Sequence, residues 1–333
     1  MNMNEIKLEG VTLSSELRLR PVRWNDLEAV AEMILEVSIA DGDPTVTSTE
    51  EDIKRFWSFP DVDLETDVWV VETKDGKIVG YEEFYDKHAH AHLVGDGYVH
   101  PDFHNLGIGT TLLRTLERRA RQQMQFAEPD LRVFIRNGVA GNDEAACQLH
   151  ENEGYKAIRH SWHMEIKLDK APKLIPFPDG TELRPFILEQ HNHAVYEAHE
   201  EAFSDHWGHI RGTFEQWNHH VIEHGNFDPS LWFIAWDGNE IAGYCICRYR
   251  METGWVGTLG VRRRWRKRGL GEALLLHSFN EFYKRGTTTI GLGVDAQNPT
   301  GATQLYKKAG MYVASEAVIY EKELRPGRDA DEE

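Results

Sequence analysis

The chain has 333 residues, 41% of them hydrophobic and 28% charged, and a net charge of −18. That length suits two domains of about 150 residues, each able to bury its own core. The acidic balance argues against a general nucleic-acid binder and leans toward a cationic small substrate, and no apolar run approaches the ~20 residues of a membrane span, so neither nucleic acid nor membrane is an expected partner.

The start, MNMNEIKLEG, lacks the basic-then-apolar pattern of a secretion signal. The three cysteines, Cys147, Cys245 and Cys247, form no disulfide framework, so a reducing cytoplasm is the expected compartment. Cys245 and Cys247 lie two apart in a β-like run and point to one face. With no second ligand pair at metal-site spacing they read as small core residues, and no metal is expected.

Taken in chain order, Leu19-Arg20-Pro21 precedes an amphipathic helical segment, NDLEAVAEMILEV. Two apolar, β-rich runs follow from Trp69, interrupted at Asp75-Gly76 as a hairpin requires. Next come a glycine turn (His104, Asn105, Leu106, Gly107, Ile108, Gly109), a long helix, a strand, a helix and a last strand. The stretch KLDKAPKLIPFPDG, residues 167–180, carries three prolines and reads as a linker. Then the series restarts. Leu183-Arg184-Pro185 precedes EQHNHAVYEAHEEAF at an offset of 164, Gly243 repeats Gly80 at 163, Gly269 repeats Gly107 at 162, and Gly310 repeats Gly154 at 156. Such spacing indicates duplication, with the late shift absorbed by a loop. The expected organisation is two α/β domains with mixed sheets, residues 1–170 and 171–325, and a solvated, disordered tail at 326–333.

The sharpest feature is Arg266, Lys267, Arg268, Gly269, Leu270, Gly271, set between the β-like run WVGTLGV and a helix whose apolar stripe is Leu274, Leu275, Phe279 and Phe282, stopped at Gly286. Strand, glycine turn and helix make an anion site. Glycines let backbone N–H groups converge on phosphate oxygens, and the helix N-terminus adds partial positive charge. From Arg262 to Arg268 six of seven residues are Arg or Lys, which strengthens the same attraction; a bare solvated basic loop would not need the flanking strand and helix.

Here the sequence resembles the GNAT superfamily of N-acetyltransferases, whose signature of Gln or Arg, two residues, Gly, one residue, then Gly or Ala is met by Arg266, Gly269 and Gly271. A second motif lies downstream in GVDAQNPTGATQLYKKAGM, where Asn298, Ala302, Leu305, Tyr306 and Gly310 fall in register. The resemblance implies two tandem GNAT-like domains, each a mixed, mostly antiparallel sheet flanked by helices. It also implies acetyl-CoA as cosubstrate and a small-molecule amine as acceptor. The turn from Arg266 to Gly271 would hold the pyrophosphate, backbone groups of Leu259 and Val261 would pair with the pantetheine arm, and Asn298 would belong to the cofactor site. Tyr306 occupies the family's general-acid position, although an aromatic at helical spacing also reads as core packing. For the base, Glu252 is the nearest candidate, followed by Asp205 and His206. Trp217, His219, His220 and His224 lie where the family's first helices cover the acceptor.

The first copy keeps its glycines but has His104 for Arg266, His150 for Tyr306 and no basic run. Val99, His104, Gly107 and Gly109 form a second, weaker cofactor site, and this copy is expected to be non-catalytic. Among tandem members the arrangement resembles the mycothiol synthases, on Phe203 to Trp207 and the run FDPSLWF from Phe227. It departs from them at Trp255, where those enzymes carry an acidic residue. A sensor that holds acetyl-CoA without turnover is the alternative reading.

Overall fold

The computed structural model describes residues 13–209, 211–223 and 227–330; His224 lies outside them. In chain order the elements are β1 (Leu17–Pro21), α1 (Leu27–Ala40), α2 (Glu50–Trp57), β2 (Val68–Thr73), β3 (Ile78–His88), β4 (His92–Val99), α3 (Ile108–Gln123), β5 (Val133–Ala140), α4 (Glu144–Asn152) and β6 (Lys156–Lys167). The second series is β7 (Thr181–Arg184), α5 (Leu188–Phe203), α6 (Phe214–Asn218), β8 (Trp232–Asp237), β9 (Glu240–Arg250), β10 (Thr253–Val261), α7 (Leu270–Lys284), β11 (Thr289–Asp295), α8 (Ala302–Lys308) and β12 (Tyr312–Arg325). Among the described residues no helix is long and apolar enough to cross a membrane.

Two compact units emerge, Met1–His160 with Ser315–Glu333, and Ser161–Ala314. The first sheet runs β1-β2-β3-β4-β5-β12, antiparallel except where β4 and β5 run parallel. The second unit's sheet runs β7-β8-β9-β10-β11-β6, with β10 and β11 as its parallel pair. Helices flank each sheet, giving the mixed, mostly antiparallel α/β architecture.

The last strand of each series is exchanged. Ser161–Lys167 of β6 pairs with β11 in the second unit, whereas Ala317–Arg325 of β12 pairs with β5 in the first. The compact units therefore divide the chain elsewhere than at residue 170. The proline-rich stretch 168–180 falls inside the second unit, where Leu168 and Phe177 pack on its core and the Leu168 amide bonds the Thr288 carbonyl at 2.8 Å.

The tail also departs from expectation. The Arg328 amide donates to Asp130 O (2.9 Å), its carbonyl accepts from the Arg132 amide (2.8 Å), and its guanidinium pairs with Asp130 and Glu128. Residues 326–330 are thus docked by backbone pairing as well as charge, which hydropathy alone does not reveal.

Local chemistry explains the elements that position the site. In α7, Leu274, Leu275, Phe279 and Phe282 are fully buried against the sheet, each side chain contributing about 1.5–3 kcal/mol. The helix stops at Gly286 (φ +86°), where the Thr287 amide caps the Phe282 carbonyl at 2.9 Å. Cys245 and Cys247 sit buried in the same core, their sulfurs 3.5 Å apart.

Candidate active site

Strand β10 pairs with β9 along its whole length, but with β11 only at Gly254↔Ile290 and Trp255↔Gly291. A bulge between Val256 and Thr258 marks the divergence. From there to Val261 the two parallel strands form an open fork, and backbone N–H and C=O groups on that edge of β10 are left for a partner. Leu259 and Val261, half-buried, lie in this unpaired stretch. An extended ligand could add itself there as a strand would.

The fork leads to the glycine turn. Lys267 (φ +62°) and Gly269 (φ +87°) are left-handed, two residues apart, and Gly269 is the N-cap of α7. Such a pair folds successive amides into a concave cradle, which the free N–H groups of Leu270, Gly271 and Glu272 extend. A Cβ on Gly269 would meet nothing within 4 Å, so its glycine is required by backbone angle and not by space. Gly271 faces Val261 and Leu305, 3.5 and 3.8 Å from where its Cβ would stand.

The basic run, uniform in sequence, is divided in the structure. Arg262 pairs with Glu201 (2.6 Å), Arg263 with Asp205 (2.5 Å), and Arg264 with Glu240 (2.9 Å). Arg266 donates to Val261 O (3.1 Å), Ala202 O (3.0 Å) and Asp205 (3.1 Å), which uses up its fork of donors as a brace between turn and helix α5. Lys267 and Arg268 are exposed, and among the described residues neither has a side-chain partner. They are the cations left for an anion at the turn.

Tyr306, on α8, is buried to 8% exposure within the core that includes Cys245, Leu259, Val261 and Leu305. Its hydroxyl has no hydrogen bond among the described residues. Burial, then the nearby Cys245, push its pKa well up, so the phenol keeps its proton at neutral pH. Asn298 shapes the approach to α8: its Oδ1 accepts from the Thr300 amide (2.8 Å) and hydroxyl (2.5 Å). That asparagine turn delivers the chain to Gly301, the left-handed N-cap of α8.

Glu252 is not brought to this place. It is exposed in the Met251-Glu252 turn between β9 and β10, seven residues from Leu259, or roughly 23 Å along a strand. Asp205 is held by Arg263 and Arg266, whose hydrogen bonds lower its pKa, and is a structural anion. The His206 ring lies 4.3 Å from Phe203, its pKa lowered by burial, then by His209 and Arg266. Trp217 is core, packed with Tyr196 and Trp232, and His219 starts a short π-helical turn, 219–223, that also contains His220.

A pair that sequence reasoning missed lies on the opposite face of β10. Tyr244, fully buried, has its hydroxyl 3.0 Å from His199 Nδ1, and its ring covers Gly260, where a Cβ would stand 2.5 Å from it. Burial first, then His209 and His206, lower the His199 pKa to about 4. The signal available in sequence was only a glycine in a strand opposite an aromatic, which marks close approach.

The first unit repeats the frame without the charges. Strands β4 and β5 pair from His92↔Phe134 to Gly95↔Asn137 and then part, leaving Val99 in the open stretch. Asn105 (φ +63°) and Gly107 (φ +80°) reproduce the left-handed pair, and His104 Nε2 lies 3.3 Å from Val99 O as the Arg266 guanidinium lies against Val261. Asn105 and Leu106 stand where Lys267 and Arg268 stand. A Cβ on Gly109 would be 2.9 Å from Leu149, closer than Gly271 comes to Leu305.

Comparison with known proteins agrees with this geometry. The Acetyltransferase (GNAT) family model matches residues 33–155 and again 192–311. A mycothiol acetyltransferase from Catenulispora acidiphila is 25% identical over 273 residues, 78% of this chain and 84% of that protein. One from Amycolatopsis mediterranei is 26% identical over 296 residues, 85% and 91%. The crystal structure of a GCN5-related N-acetyltransferase from Sphaerobacter thermophilus has 34% identity and a TM-score of 0.82, covering 96% of this chain and 99% of that one. A tandem GNAT protein from the clavulanic acid biosynthesis pathway shares the fold at 18% identity, with a TM-score of 0.70 over 94% of this chain and all of that one. With both repeats matched and most of its length covered, this chain belongs to the GNAT family of acetyltransferases and is a tandem member of it.

Proposed function

We propose that the second unit transfers an acetyl group from acetyl-CoA to the amine of a small molecule. The single observation that carries this is the open edge of β10, bounded at one end by the cradle at Lys267 and Gly269 and faced by the unpartnered phenol of Tyr306. The donor fits the residues present. A diphosphate suits the left-handed turn and its two uncommitted cations, and an extended amide-bearing arm suits an unpaired strand edge. When bound, acetyl-CoA supplies a thioester whose acyl carbon accepts an amine and whose thiolate departs.

The chain's own contributions follow from position. The turn amides with Lys267 and Arg268 anchor the anionic end, and the β10 edge orients what extends from it. Tyr306, kept protonated by burial, donates a hydrogen bond and then a proton to a developing thiolate. On the other face, Tyr244 and His199 form a buried hydrogen-bonded pair that backs β10 at Gly260. Glu252, at the far end of β10, has no part in it.

An amine as acceptor class is what the name N-acetyltransferase, carried by the Sphaerobacter thermophilus protein, points to, and Trp255 stands where the mycothiol synthases carry an acid. The first unit, lacking cations at its turn, is assigned a non-catalytic role. The test is thiol release from acetyl-CoA by the purified chain across a panel of amines. Amine-stimulated release that survives Gly107→Glu at the first unit's turn and disappears in Tyr306→Phe supports the assignment. Binding of acetyl-CoA with no stimulated release by any amine would identify a sensor instead.

A further inference from the structure

The fork of the first unit is polar where that of the second is apolar. Glu82 replaces Cys245, His150 replaces Tyr306, and Tyr155 replaces Met311 at corresponding places in the two repeats. All three are at least nine-tenths buried, at 3%, 8% and 3% exposure, as is Asn137 of β5 at 4%. Among the described residues, Glu82 Oε1, Asn137 Oδ1, His150 Nε2 and the Tyr155 hydroxyl have no hydrogen-bond partner. Solitary buried polar atoms are uncommon, and four around one strand fork call for a ligand.

Two of them stand against the glycines of β4. Gly95 and Gly97, two apart, present the same face; a Cβ on Gly97 would overlap the Glu82 carboxyl, and one on Gly95 would overlap Leu116 and stand 2.8 Å from Asn137 Nδ2. From α4 the His150 ring closes in, 5.2 Å from Tyr155. Burial, then the carboxyls of Asp96 and Glu83, raise the Glu82 pKa well above the usual carboxylate range, so a second anion is disfavoured there. Lys322, over the Tyr155 ring, is committed to Glu117 and the Glu153 carbonyl.

The donor and acceptor pattern selects the ligand. His150 Nδ1 lies 2.8 Å from the Ala146 carbonyl, which can only accept, so Nδ1 carries the hydrogen and Nε2 presents a lone pair. Asn137 Oδ1 is an acceptor and Glu82 becomes one on ionising. Three acceptors, one of them a latent anion, match a group with three N–H donors and a positive charge. Water brings two donors and no charge.

We infer that the first unit binds a small primary ammonium ion in its strand fork, held by Glu82, Asn137 and His150. This goes beyond the acetyl-transfer reading of the second unit and stands without it.

The test uses the full chain carrying 13C at its glutamate side-chain carboxyls, titrated with ethylamine hydrochloride at neutral pH. One resonance, identified by its loss in Glu82→Gln, moves from the protonated to the ionised position as the amine saturates. By calorimetry Glu82→Gln weakens ethylammonium binding about tenfold or more, and acetyl-CoA turnover stays within about twofold. His150→Phe, which keeps the ring stacked on Tyr320, is the second variant should Glu82→Gln fail to fold. A Glu82 resonance unmoved at saturation overturns the inference and leaves the four groups to internal water. Affinity lost in Tyr306→Phe but kept in Glu82→Gln overturns it too, placing the amine in the second unit.

Discussion

The Arg266 guanidinium closes on the carbonyl of Val261, five residues earlier in the chain, with Nε 3.1 Å from the oxygen. The contact fastens the glycine turn to the end of the strand it follows, so the most diagnostic cation of the motif is a brace. Anion binding then falls to its neighbours. Replacing Lys267 and Arg268 together with alanine should weaken acetyl-CoA binding by about tenfold or more and flatten its dependence on salt, as loss of charge-assisted contacts does. Arg264→Ala, which removes a surface pair with Glu240 and a contact over the Trp265 ring, should change the dissociation constant less than about twofold. Equal losses in the two variants would refute the division of the basic run.

Tyr306→Phe removes one oxygen that has no partner within the chain. The variant should fold with nearly unchanged stability, while kcat falls by about 10²-fold or more and the affinity for acetyl-CoA holds. Thiol-release kinetics and a melting curve read the two quantities. A large drop in melting temperature with kcat intact would make this tyrosine a packing residue.

Gly269 adopts φ +87° with open space around it. Gly269→Ala should therefore cost about 1 kcal/mol of stability from backbone strain alone, with the turn retained. Gly269→Glu adds an anion where a diphosphate is to sit and should abolish cofactor binding to the second unit. Equilibrium binding of acetyl-CoA checks both; undiminished affinity in the glutamate variant would mean that the diphosphate sits elsewhere.

His199, lowered from 6.5 to about 4 chiefly by burial, binds a proton more readily in the unfolded chain than in the folded one. Its depressed value makes stability complete above about pH 6.5, lost progressively as pH falls toward 4, and constant below that. The loss is about 3 kcal/mol. His206 and His277, also depressed by burial, act in the same direction. The difference between the wild-type curve and that of His199→Asn isolates the one residue, and parallel curves from pH 4 to 7 would show that it does not titrate there.

Much of this was legible in the sequence because it depends on local backbone rules. The glycine turn, the stripe Leu274, Leu275, Phe279 and Phe282, the Asp75-Gly76 hairpin and the duplicated fold all follow from spacing. What remained hidden depends on contacts between distant residues. That Glu201 and Asp205 engage Arg262, Arg263 and Arg266 requires the end of α5 to meet the turn, sixty residues away. Glu252 looked close to the chemistry because it adjoins β10 in sequence, yet an extended strand carries neighbours far apart. Tyr244 and His199 were hidden in the same way, as was the tail at Arg328, paired with Asp130 and Arg132.

The exchanged strands give a fragment test. Residues 161–314, which keep the strand paired with β11 and omit the one belonging to β5, should melt cooperatively and bind acetyl-CoA. Residues 171–325, cut at the linker, lack the antiparallel partner of Thr289–Asp295 and expose an apolar edge, so they should be less stable or aggregate. Circular dichroism melts of the two fragments decide; higher stability in 171–325 would argue against the exchange.

That exchange also sets a schedule for synthesis. With Ala317–Arg325 lying beyond the whole second repeat, β5 must wait uncovered until that repeat has been synthesised. A stop codon just after Gly310 would spare every residue of the GNAT signature and still leave the first unit unable to finish folding.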